Sequence, residues 1–375
     1  MQKSRNEGTK MRLLLCGGGT AGHINPAIAV AEEMQKRFPG AKILFVGREG
    51  GLENEPIEKA GFELKTIKIY GLKRSFSLDN FRRVFIAIEA KNEAERIIKH
   101  FNPDFILGTG GYVCWPVISA GRRLGIPTAI HESNVFPGLT TKLLAKRCDK
   151  VFLGHDETKN ILPKKINTIT VGNPLRADFT KTSRKEARAT FGIGENEFFI
   201  VSFGGSIGAE RLNEVIIDVI EHHSAKTKGI KHLHATGRRY FDQIKSPFAN
   251  RECCGCKILP FIHNMPTALL AADTVICRSG AMTLSEISAV GVASILVPSP
   301  NVSANHQYKN AKYLADKGAA MLIEEEKLTS EILINALKKL ENDKNGRKIR
   351  AKTIKSLSTP NSAKSIVNEL ILLKK

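Results

Sequence analysis

The sequence predicts an α/β protein built from two domains, each with a parallel β-sheet that helices cover on both faces. Its 375 residues are enough for two domains that each bury a core. Short apolar runs alternate with helical patterns in both halves, which is typical of parallel sheets with helical crossovers. A glycine-rich loop also follows an apolar run once in each half. Such loops bind phosphate in nucleotide-binding α/β domains.

The elements of the first half follow from this alternation. The predicted strands are 12–16, 42–46, 104–107, 127–130 and 150–153, and the clearest helices are 26–38 and 80–100. We expect the first helix to begin near Pro26, because proline is tolerated in a first turn, where its missing N–H has no partner.

The second half repeats the scheme. Its predicted strands lie near 198–203, 230–235, 257–259, 273–277 and 294–297, and its helices near 209–223, 266–271, 281–290, 306–317 and 329–342. A Gly172-Asn173-Pro174 turn separates the halves. We therefore expect an N-terminal extension, two α/β domains and a C-terminal helix that packs back on the first domain. Their predicted bounds are 1–10, 11–175, 176–350 and 351–375.

Composition and charge restrict the class of protein. No run approaches the roughly 18 apolar residues that a membrane-spanning helix needs, so we expect a cytoplasmic protein that touches a membrane from one side at most. The net charge of +20 indicates an anionic partner, such as a membrane surface, a nucleic acid or a phosphorylated substrate. Aromatic residues are only 6% of the chain and do not interleave with the basic runs, which disfavours nucleic-acid binding.

The first glycine loop spans Gly17 to His23. Its glycines match the dinucleotide fingerprint, but the acid that should follow the second strand, Glu49, lies in glycine-rich, charged surroundings. A dehydrogenase is therefore disfavoured. His23 closes the loop, and we interpret it either as a proton acceptor near neutral pH or as a capping or packing residue.

Two further polar turns follow predicted strands of the first half. They are Gly108–Tyr112 and His131–Asn134. The carboxyl ends of parallel strands line ligand crevices, so the glycines would let backbone approach a ligand. Glu132 and Asn134 offer a base and a hydrogen-bond donor. A tight strand–helix turn and an ordinary polar loop are the alternatives.

The most informative segment of the second half runs from Cys277 to Glu286. A strand ends, a turn of small residues follows, and a helix begins near Ala281. The N–H groups of that helix end suit a diphosphate, and Glu286 suits both hydroxyls of a ribose. The alternative is an acid that the helix dipole favours. Gln307, after the next strand, lies where it could reach a sugar.

Metal and cofactor chemistry is not indicated. The chain has no Asp-x-Asp pair to bind a metal–diphosphate complex, so helix dipoles and N–H groups would compensate the charge. The Cys253-Cys254-Gly255-Cys256 cluster lacks a second pair at zinc spacing. We therefore predict no metal and no cofactor.

A basic and apolar segment lies between Leu72 and Ile88. Phe81, Phe85 and Ile88 fall on one helical face, which suits a helix that lies in an anionic bilayer interface. A helix packed on a sheet, with its basic residues in water, is the alternative. The predicted membrane patch comprises Leu72, Lys73, Arg74, Phe76, Phe81, Arg82 and Phe85.

In order and spacing, these segments resemble the bacterial UDP-N-acetylglucosamine–N-acetylmuramyl-(pentapeptide) pyrophosphoryl-undecaprenol N-acetylglucosamine transferases, GT-B enzymes of glycosyltransferase family 28. The resemblance covers roughly residues 11–345. It is carried by Gly18–Pro26, Gly108–Tyr112, His131–Asn134, Gly172–Arg176, Gly204–Ala209, Arg278–Glu286 and Asn305–Gln307.

The resemblance implies a GT-B fold, with two Rossmann-like parallel-sheet domains facing a deep cleft. Residues 11–175 would then form the acceptor- and membrane-binding domain, and residues 176–350 the domain that binds UDP-N-acetylglucosamine. It implies inverting transfer of N-acetylglucosamine from UDP-N-acetylglucosamine to the muramyl hydroxyl of undecaprenyl-diphospho-N-acetylmuramyl-pentapeptide, which converts lipid I to lipid II in peptidoglycan synthesis. It further implies a peripheral location on the cytoplasmic face of the inner membrane, other cell-wall enzymes as partners, and no nucleic acid.

By matching motif positions, the resemblance also implies residue roles. Arg176 and Ser206 would approach the diphosphate and uridine, and Ile262 would contact uracil through its backbone. His23 is the expected base, with Glu132 in reserve. The implied donor-binding set is Thr20, Ala21, Gly22, Asn134, Arg176, Ser206, Ile262, Ala281, Met282, Thr283, Leu284, Ser285, Glu286 and Gln307.

Three alternatives remain at this point. A related glycolipid transferase would differ only in its acceptor. A UDP-N-acetylglucosamine epimerase would need acids and bases around C2 of the sugar and no membrane face. A non-catalytic membrane binder would not need His23, Glu286 and Gln307 together.

Overall fold

The computed structural model describes residues 11–51, 54–71, 78–176, 182–226, 229–244 and 255–374. The chain divides into two compact units. Unit 1 comprises Met1–Arg176 with Thr359–Lys375, and unit 2 comprises Ala177–Ser358. The predicted extension 1–10 and the cysteines at 253 and 254 lie outside the described residues.

Unit 1 holds a seven-stranded, all-parallel sheet in the order β3-β2-β1-β4-β5-β6-β7. Its strands are β1 Arg12–Cys16, β2 Lys42–Arg48, β3 Glu63–Ile67, β4 Phe105–Gly108, β5 Thr128–Glu132, β6 Lys150–Leu153 and β7 Thr168–Thr170. Its helices are α1 Ala21–Arg37, α2 Asn54–Lys59, α3 Leu78–Phe101, α4 Cys114–Arg123, α5 Leu139–Leu144 and α14 Ser362–Leu373.

Unit 2 holds a six-stranded, all-parallel sheet in the order β10-β9-β8-β11-β12-β13. Its strands are β8 Phe198–Phe203, β9 Ile230–Ala235, β10 Cys256–Leu259, β11 Thr274–Cys277, β12 Ala293–Leu296 and β13 Met321–Leu322. Its helices are α6 Arg184–Thr190, α7 Glu210–Lys226, α8 Arg238–Phe241, α9 Met265–Ala271, α10 Ala281–Val290, α11 His306–Asp316, α12 Ser330–Asn342 and α13 Lys344–Ser356. The prediction of two parallel-sheet α/β domains is confirmed.

Each sheet has an apolar core on both faces, because each strand is buried on both sides. In unit 1, α1, α2 and α14 cover one face, represented by Ile28, Ile57 and Ile366. Helices α3, α4 and α5 cover the other, represented by Ala94 and Val117. The order of the strands reverses between β1 and β4 in unit 1 and between β8 and β11 in unit 2. Crevices at such reversals are where open α/β sheets bind ligands.

Two predicted helix bounds are wrong. Helix α1 begins at Ala21, so Pro26 lies inside it rather than in its first turn. The expected helix 351–375 is two helices. Helix α13 ends at Ser356, and α14 starts at Ser362 after Pro360 and Asn361, whose φ is +63°. A residue that precedes proline avoids the helical region, so the chain breaks there.

The C-terminal helix α14 packs on α1 within unit 1. Two ion pairs hold its C-terminal half, from Lys150 to Glu369 at 2.5 Å and from Lys374 to Asp104 at 2.9 Å. The segment that leads into α14 also passes close to the backbone at Gly172. A Cβ there would lie 2.3 Å from Cβ of Thr359, so the residue before the Asn-Pro turn must be glycine.

Candidate functional site

Two glycine loops of unit 1 are in backbone contact where the strand order reverses. Gly18 N–H donates to Gly110 O at 3.2 Å, which joins the loop after β1 to the loop after β4. A Cβ on Gly111, whose φ is +83°, would lie 2.1 Å from Gly18 O. Only glycine allows this approach, so the two glycine clusters in the sequence form one structural feature.

His23 lies where these two loops meet. Its Nδ1 is 2.8 Å from Gly18 O and 3.3 Å from Thr20 Oγ1. A carbonyl oxygen only accepts, so Nδ1 carries the proton and the neutral ring has its lone pair on Nε2. Gly110 makes room for the ring, since a Cβ there would lie 2.4 Å from Cδ2 and 2.8 Å from Nε2 of His23. An oriented, half-buried imidazole of this kind is suited to accept a proton through Nε2.

Glu132, the expected reserve base, has a different environment. Its Oε1 accepts from the backbone N–H and the side-chain amide of Asn134, at 3.0 and 2.9 Å. Its Oε2 accepts from Gly138 N–H at 2.8 Å and from Thr141 Oγ at 2.6 Å. The carboxylate is 5% exposed. Four donors from the following loop and the first turn of α5 thus occupy both oxygens, and this geometry suits a residue that positions the loop.

The C-terminal end of β5 is hydrogen-bonded to the segment Gly172–Asn173, through which the chain leaves unit 1. His131 Nε2 is 3.0 Å from Gly172 O, and Asn173 Nδ2 donates to Ser133 O at 3.0 Å. Burial lowers the pKa of His131. The sequence analysis gave His131 and Asn173 no such role. The signal was present in the adjacent His-Glu-Ser-Asn and Gly-Asn-Pro turns, but nothing in their spacing indicates that they touch.

The other predicted donor residues of unit 1 lie near the start of α1 or on its surface. Thr20 is the exposed N-cap of α1, and no acidic residue lies in the first turn. Ala21 and Gly22 begin the helix, but the Ala21 side chain is outside the described part. Arg176 is exposed and pairs with Glu32 of α1 at 2.7 Å. An exposed pair contributes about 1 kcal/mol or less, so an anionic ligand can compete for Arg176.

In unit 2, the glycine loop after β8 packs against the loop after β9. A Cβ on Gly208 would lie 2.1 Å from Thr236 O, and a Cβ on Gly237 would lie 2.4 Å from Cα of Gly208. Ser206 is exposed at the crest of this loop, and a Cβ on Gly205 would meet nothing within 4 Å. The loop is therefore held from one side while its crest stays accessible.

The N-terminus of α10 begins directly after β11. Its N-cap Gly280 supplies no side chain, and the first turn contains no acid. The preceding turn is fixed, since Arg278 donates to Val297 O and Pro298 O at 3.1 and 3.2 Å and pairs with Glu325. The positive end of the helix dipole is thus presented on a rigid turn, which suits a diphosphate.

Glu286 lies in the second turn of α10 and is half-buried. Burial raises the pKa of its carboxyl to about 7. The structure shows no hydrogen bond or ion pair from this side chain to any other described residue. A half-buried carboxyl with a raised pKa and no partner among the described side chains is suited to a ligand that supplies the donors.

The remaining predicted residues of unit 2 separate into three groups. Gln307 is half-buried at the start of α11, where its Oε1 accepts from Ser299 N–H at 2.9 Å, so its amide nitrogen is the atom suited to a ligand. Met282, Leu284 and Ile262 are buried, with at most 7% exposed, and only their backbones are suited to contact a polar ligand. Ala281, Thr283 and Ser285 are half-buried, and Ser285 Oγ donates to Ala281 O at 3.0 Å.

Only part of the predicted membrane patch lies within the described residues. Leu72, Lys73, Arg74 and Phe76 lie outside the described residues, as do the side chains of Phe81 and Arg82. Phe85 and Ile88 of α3 are exposed by 68% and 49%. None of the helices in the described part of the chain is both long and apolar enough to cross a membrane.

Helix α5 adds apolar surface that the sequence analysis missed. Leu139 and Leu143 are exposed by 69% and 54%, with Lys142 between them. Helix α4 contacts both α3 and α5 on one face of the sheet. We call Phe85, Ile88, Leu139 and Leu143 together the α3/α5 surface. The i, i+4 leucines were the available signal.

The side chains of the described residues were compared with what a metal site requires. Among them, no group of three or more His, Cys, Asp or Glu side chains is placed to hold a metal ion.

Comparisons with known proteins identify the family of the chain. The family described as glycosyltransferase family 28 N-terminal domain matches residues 13–153, and the corresponding C-terminal domain matches residues 199–369. A UDP-N-acetylglucosamine–N-acetylmuramyl-(pentapeptide) pyrophosphoryl-undecaprenol N-acetylglucosamine transferase from Acetivibrio thermocellus is 41% identical over 95% of this chain and 96% of its own. The protein of the same name from Bacillus subtilis is 36% identical over 97% and 100%. The crystal structure of Acinetobacter baumannii MurG superposes with a TM-score of 0.76 at 28% identity, over 96% of this chain and 99% of that one.

Proposed function

The chain belongs to glycosyltransferase family 28, and we propose that it transfers N-acetylglucosamine from UDP-N-acetylglucosamine to the muramyl hydroxyl of undecaprenyl-diphospho-N-acetylmuramyl-pentapeptide. The single structural observation that carries the donor half of this proposal is Glu286. Its carboxyl, which has no hydrogen-bond or ion-pair partner among the described residues, lies one turn inside a helix whose first turn contains no acid.

On the donor side, the N–H groups at the start of α10 bind the diphosphate, and ionised Glu286 accepts from both ribose hydroxyls. Gln307 donates through its amide nitrogen to a hydroxyl of the sugar. The positive end of the α10 dipole stabilises the charge that develops on UDP as it leaves, which lowers the barrier without a metal ion.

On the acceptor side, His23 is the base. The muramyl hydroxyl oxygen attacks the anomeric carbon of N-acetylglucosamine, and the bond from that carbon to the diphosphate oxygen breaks with its electron pair. The hydroxyl proton passes to Nε2 of His23. The contact of Nδ1 with Gly18 O keeps the ring in the required tautomer and stabilises the imidazolium that forms.

Glu132 acts through its loop. By accepting from Asn134, Gly138 and Thr141, it holds the segment that places Asn134 near the sugar. Glu132 is therefore a positioning residue in this proposal and His23 the catalytic one.

The acceptor is a lipid, so we infer that the protein works at a membrane surface. The α3/α5 surface supports this, because exposed apolar side chains lie on two helices that both pack against α4, with the basic Lys142 between Leu139 and Leu143. We infer that this side of unit 1 rests on the anionic inner leaflet at the cytoplasmic face.

The test is transfer of labelled N-acetylglucosamine from its UDP donor to the lipid-linked muramyl-pentapeptide with EDTA present. Labelled lipid that forms at full rate supports the donor, the acceptor and independence from a metal together. Release or epimerisation of the sugar without transfer would contradict the proposal and favour an epimerase.

A further inference from the structure

Helix α13 carries an unusual concentration of positive charge. Its thirteen residues, Lys344–Ser356, contain six lysines and arginines and no acid. The helix packed beside it, α12, balances two lysines with two glutamates. A general excess of lysine in the chain would not concentrate in this way on one helix.

The cationic residues of α13 fall into two groups. Arg347 and Arg350 hold the helix in place. Arg347 donates to Leu340 O, lies 4.9 Å over the Phe198 ring and is 3.7 Å from Asp273, and Arg350 donates to Gly318 O. The other four are exposed lysines at intervals of four, four and three residues, which places them on one face; they are Lys344, Lys348, Lys352 and Lys355. We call them the α13 stripe.

One acid lies beside the α13 stripe: the N-cap Asp343, whose carboxylate accepts from Gly346 N–H and forms no ion pair with Lys344. No ion pair or hydrogen bond joins its lysines to other residues in the part of the chain that the structure describes. Lysines four residues apart on a helix repel one another, and Lys344 in the first turn opposes the helix dipole. Intrinsic helix stability therefore does not account for the pattern, and an external anionic surface does.

We propose that the α13 stripe binds an anionic phospholipid surface, which gives unit 2 its own membrane contact, separate from the α3/α5 surface of unit 1. The stripe extends for about 16 Å along the helix, so its four ammonium groups can meet a continuous array of headgroups together. Ile349 flanks it with 64% of its surface exposed, as expected for a helix that lies in a bilayer interface.

The chemistry of the stripe favours lipid over nucleic acid. Bases are read mainly by the planar fork of arginine, and single strands stack on aromatic rings. Here both arginines of α13 make internal contacts, and the helix has no aromatic residue. Lysines act as point charges, which suits a diffuse field of headgroups.

The experiment measures sedimentation of the full-length protein with vesicles of phosphatidylglycerol and phosphatidylcholine. The stripe variant Lys344→Gln/Lys348→Gln/Lys352→Gln/Lys355→Gln keeps helix propensity, because glutamine and lysine are similar helix formers. The matched control, Lys42→Gln/Lys164→Gln/Lys165→Gln/Lys185→Gln, removes the same charge from exposed positions elsewhere. We expect the stripe variant to partition at least about 30-fold more weakly and the control to stay within about threefold of the parent.

A second parent protein, in which the α3/α5 surface is disrupted, distinguishes the contributions of the two surfaces to vesicle binding. In a Phe85→Ser/Leu139→Ser protein, the residual binding to anionic vesicles should depend on the stripe and should disappear on vesicles of phosphatidylcholine alone. UDP-N-acetylglucosamine binding should be unchanged in every variant, which verifies folding and keeps this proposal independent of the transferase activity.

Equal partitioning of the stripe variant and the parent, in both backgrounds, would overturn the proposal. An equal loss in the control quadruple variant would also overturn it, because net charge and not the stripe would then be responsible. Loss of RNA binding with unchanged vesicle binding would assign the stripe to nucleic acid instead.

Discussion

In unit 1 the glycine loop after β1 packs against the loop after β4, whereas in unit 2 the loop after β8 packs against the loop after β9. Strands β1 and β4 flank the reversal of strand order, so the contact in unit 1 spans the crevice and brings His23 to it. Strand β9 lies on the far side of β8. The side of the crevice next to β11 is where unit 2 presents the N-terminus of α10 and Glu286.

The difference shows that one sequence pattern can serve two purposes. In unit 1, glycines let two backbones touch and create space for an imidazole. In unit 2, glycines let the loop after β8 pack against the loop after β9, on the side away from the crevice. The tip of the loop, Gly205 and Ser206, stays exposed. The neighbour that a glycine loop packs on decides whether it forms a catalytic position or a ligand-binding surface.

The largest effect should come from His23. We expect His23→Ala to lower kcat by about 100- to 10,000-fold, since it removes the general base, and to leave the Kd of UDP-N-acetylglucosamine unchanged. Steady-state transfer and isothermal titration measure the two quantities. The exposed His100→Ala is the matched control, and turnover of His23→Ala near the parent rate would refute the role.

The loop contact in unit 1 should respond strongly to a single methyl group. Gly111→Ala should destabilise unit 1 by about 2 to 5 kcal/mol, because Cβ meets Gly18 O and φ is positive. Gly50→Ala has positive φ but open space and should cost about 1 to 2 kcal/mol. Urea unfolding followed by the single tryptophan, Trp115 of α4, reports on this unit. Equal losses would show that the loops do not depend on the contact.

In unit 2, the ionisation of Glu286 should control donor binding. Its folded pKa is about 7, so affinity for UDP-N-acetylglucosamine should rise by about tenfold from pH 6 to pH 8 as the carboxylate forms. Glu286→Gln should remove this pH dependence and weaken binding at pH 8 by about 10- to 30-fold. A variant that kept the parent's pH profile would rule out Glu286 as its source.

The same substitution has an opposite effect on stability. Between its ordinary pKa of 4.5 and about 7, Glu286 ionises in the unfolded chain but not in the folded one, so the free energy of unfolding falls as pH rises through this range. Glu286→Gln removes that loss and should raise stability at pH 8 by about 1 to 3 kcal/mol. Lower thermal stability at pH 8 would indicate an internal partner for the carboxylate.

The smallest effect concerns the α3/α5 surface, which has no described counterpart in unit 2 of the same apolar character. Phe85→Ser/Leu139→Ser should weaken binding to anionic vesicles by about 5- to 30-fold without a change in donor affinity. Ile332→Ser, at an exposed position of α12, is the control. Equal vesicle binding of all three proteins would remove the α3/α5 surface from the membrane proposal.

Much of the fold was predictable because its signals are local. Apolar runs and helical periods identify strands and helices, and glycines after a strand identify the loops at its carboxyl end. The start of α1 was missed because Pro26 resembles a first-turn proline. The boundary between α13 and α14 was missed because the sequence analysis interpreted residues 351–375 as one helical pattern. Pro360 and Asn361 in fact interrupt the helix there.

The candidate site was only partly predictable. The sequence singled out His23 and Glu286 as chemistry-bearing residues at strand ends. It gave Glu132 as a reserve base and did not reveal the four donors to its oxygens, because they come from a loop and a helix turn whose path the pattern does not predict. Arg176 was expected beside a diphosphate, and its contact with Glu32 depends on how the end of unit 1 folds over α1.

The amino-acid sequence by itself determined the two parallel α/β units, the glycine loops and the family, because periodicity and motif order are properties of neighbouring residues. The tertiary structure alone decided which loops touch, which nitrogen of His23 carries the proton, and that Glu132 has four donors while Glu286 has no partner among the described residues. Those outcomes depend on atoms brought together from distant parts of the chain, where separations of a few ångströms decide hydrogen bonding and burial.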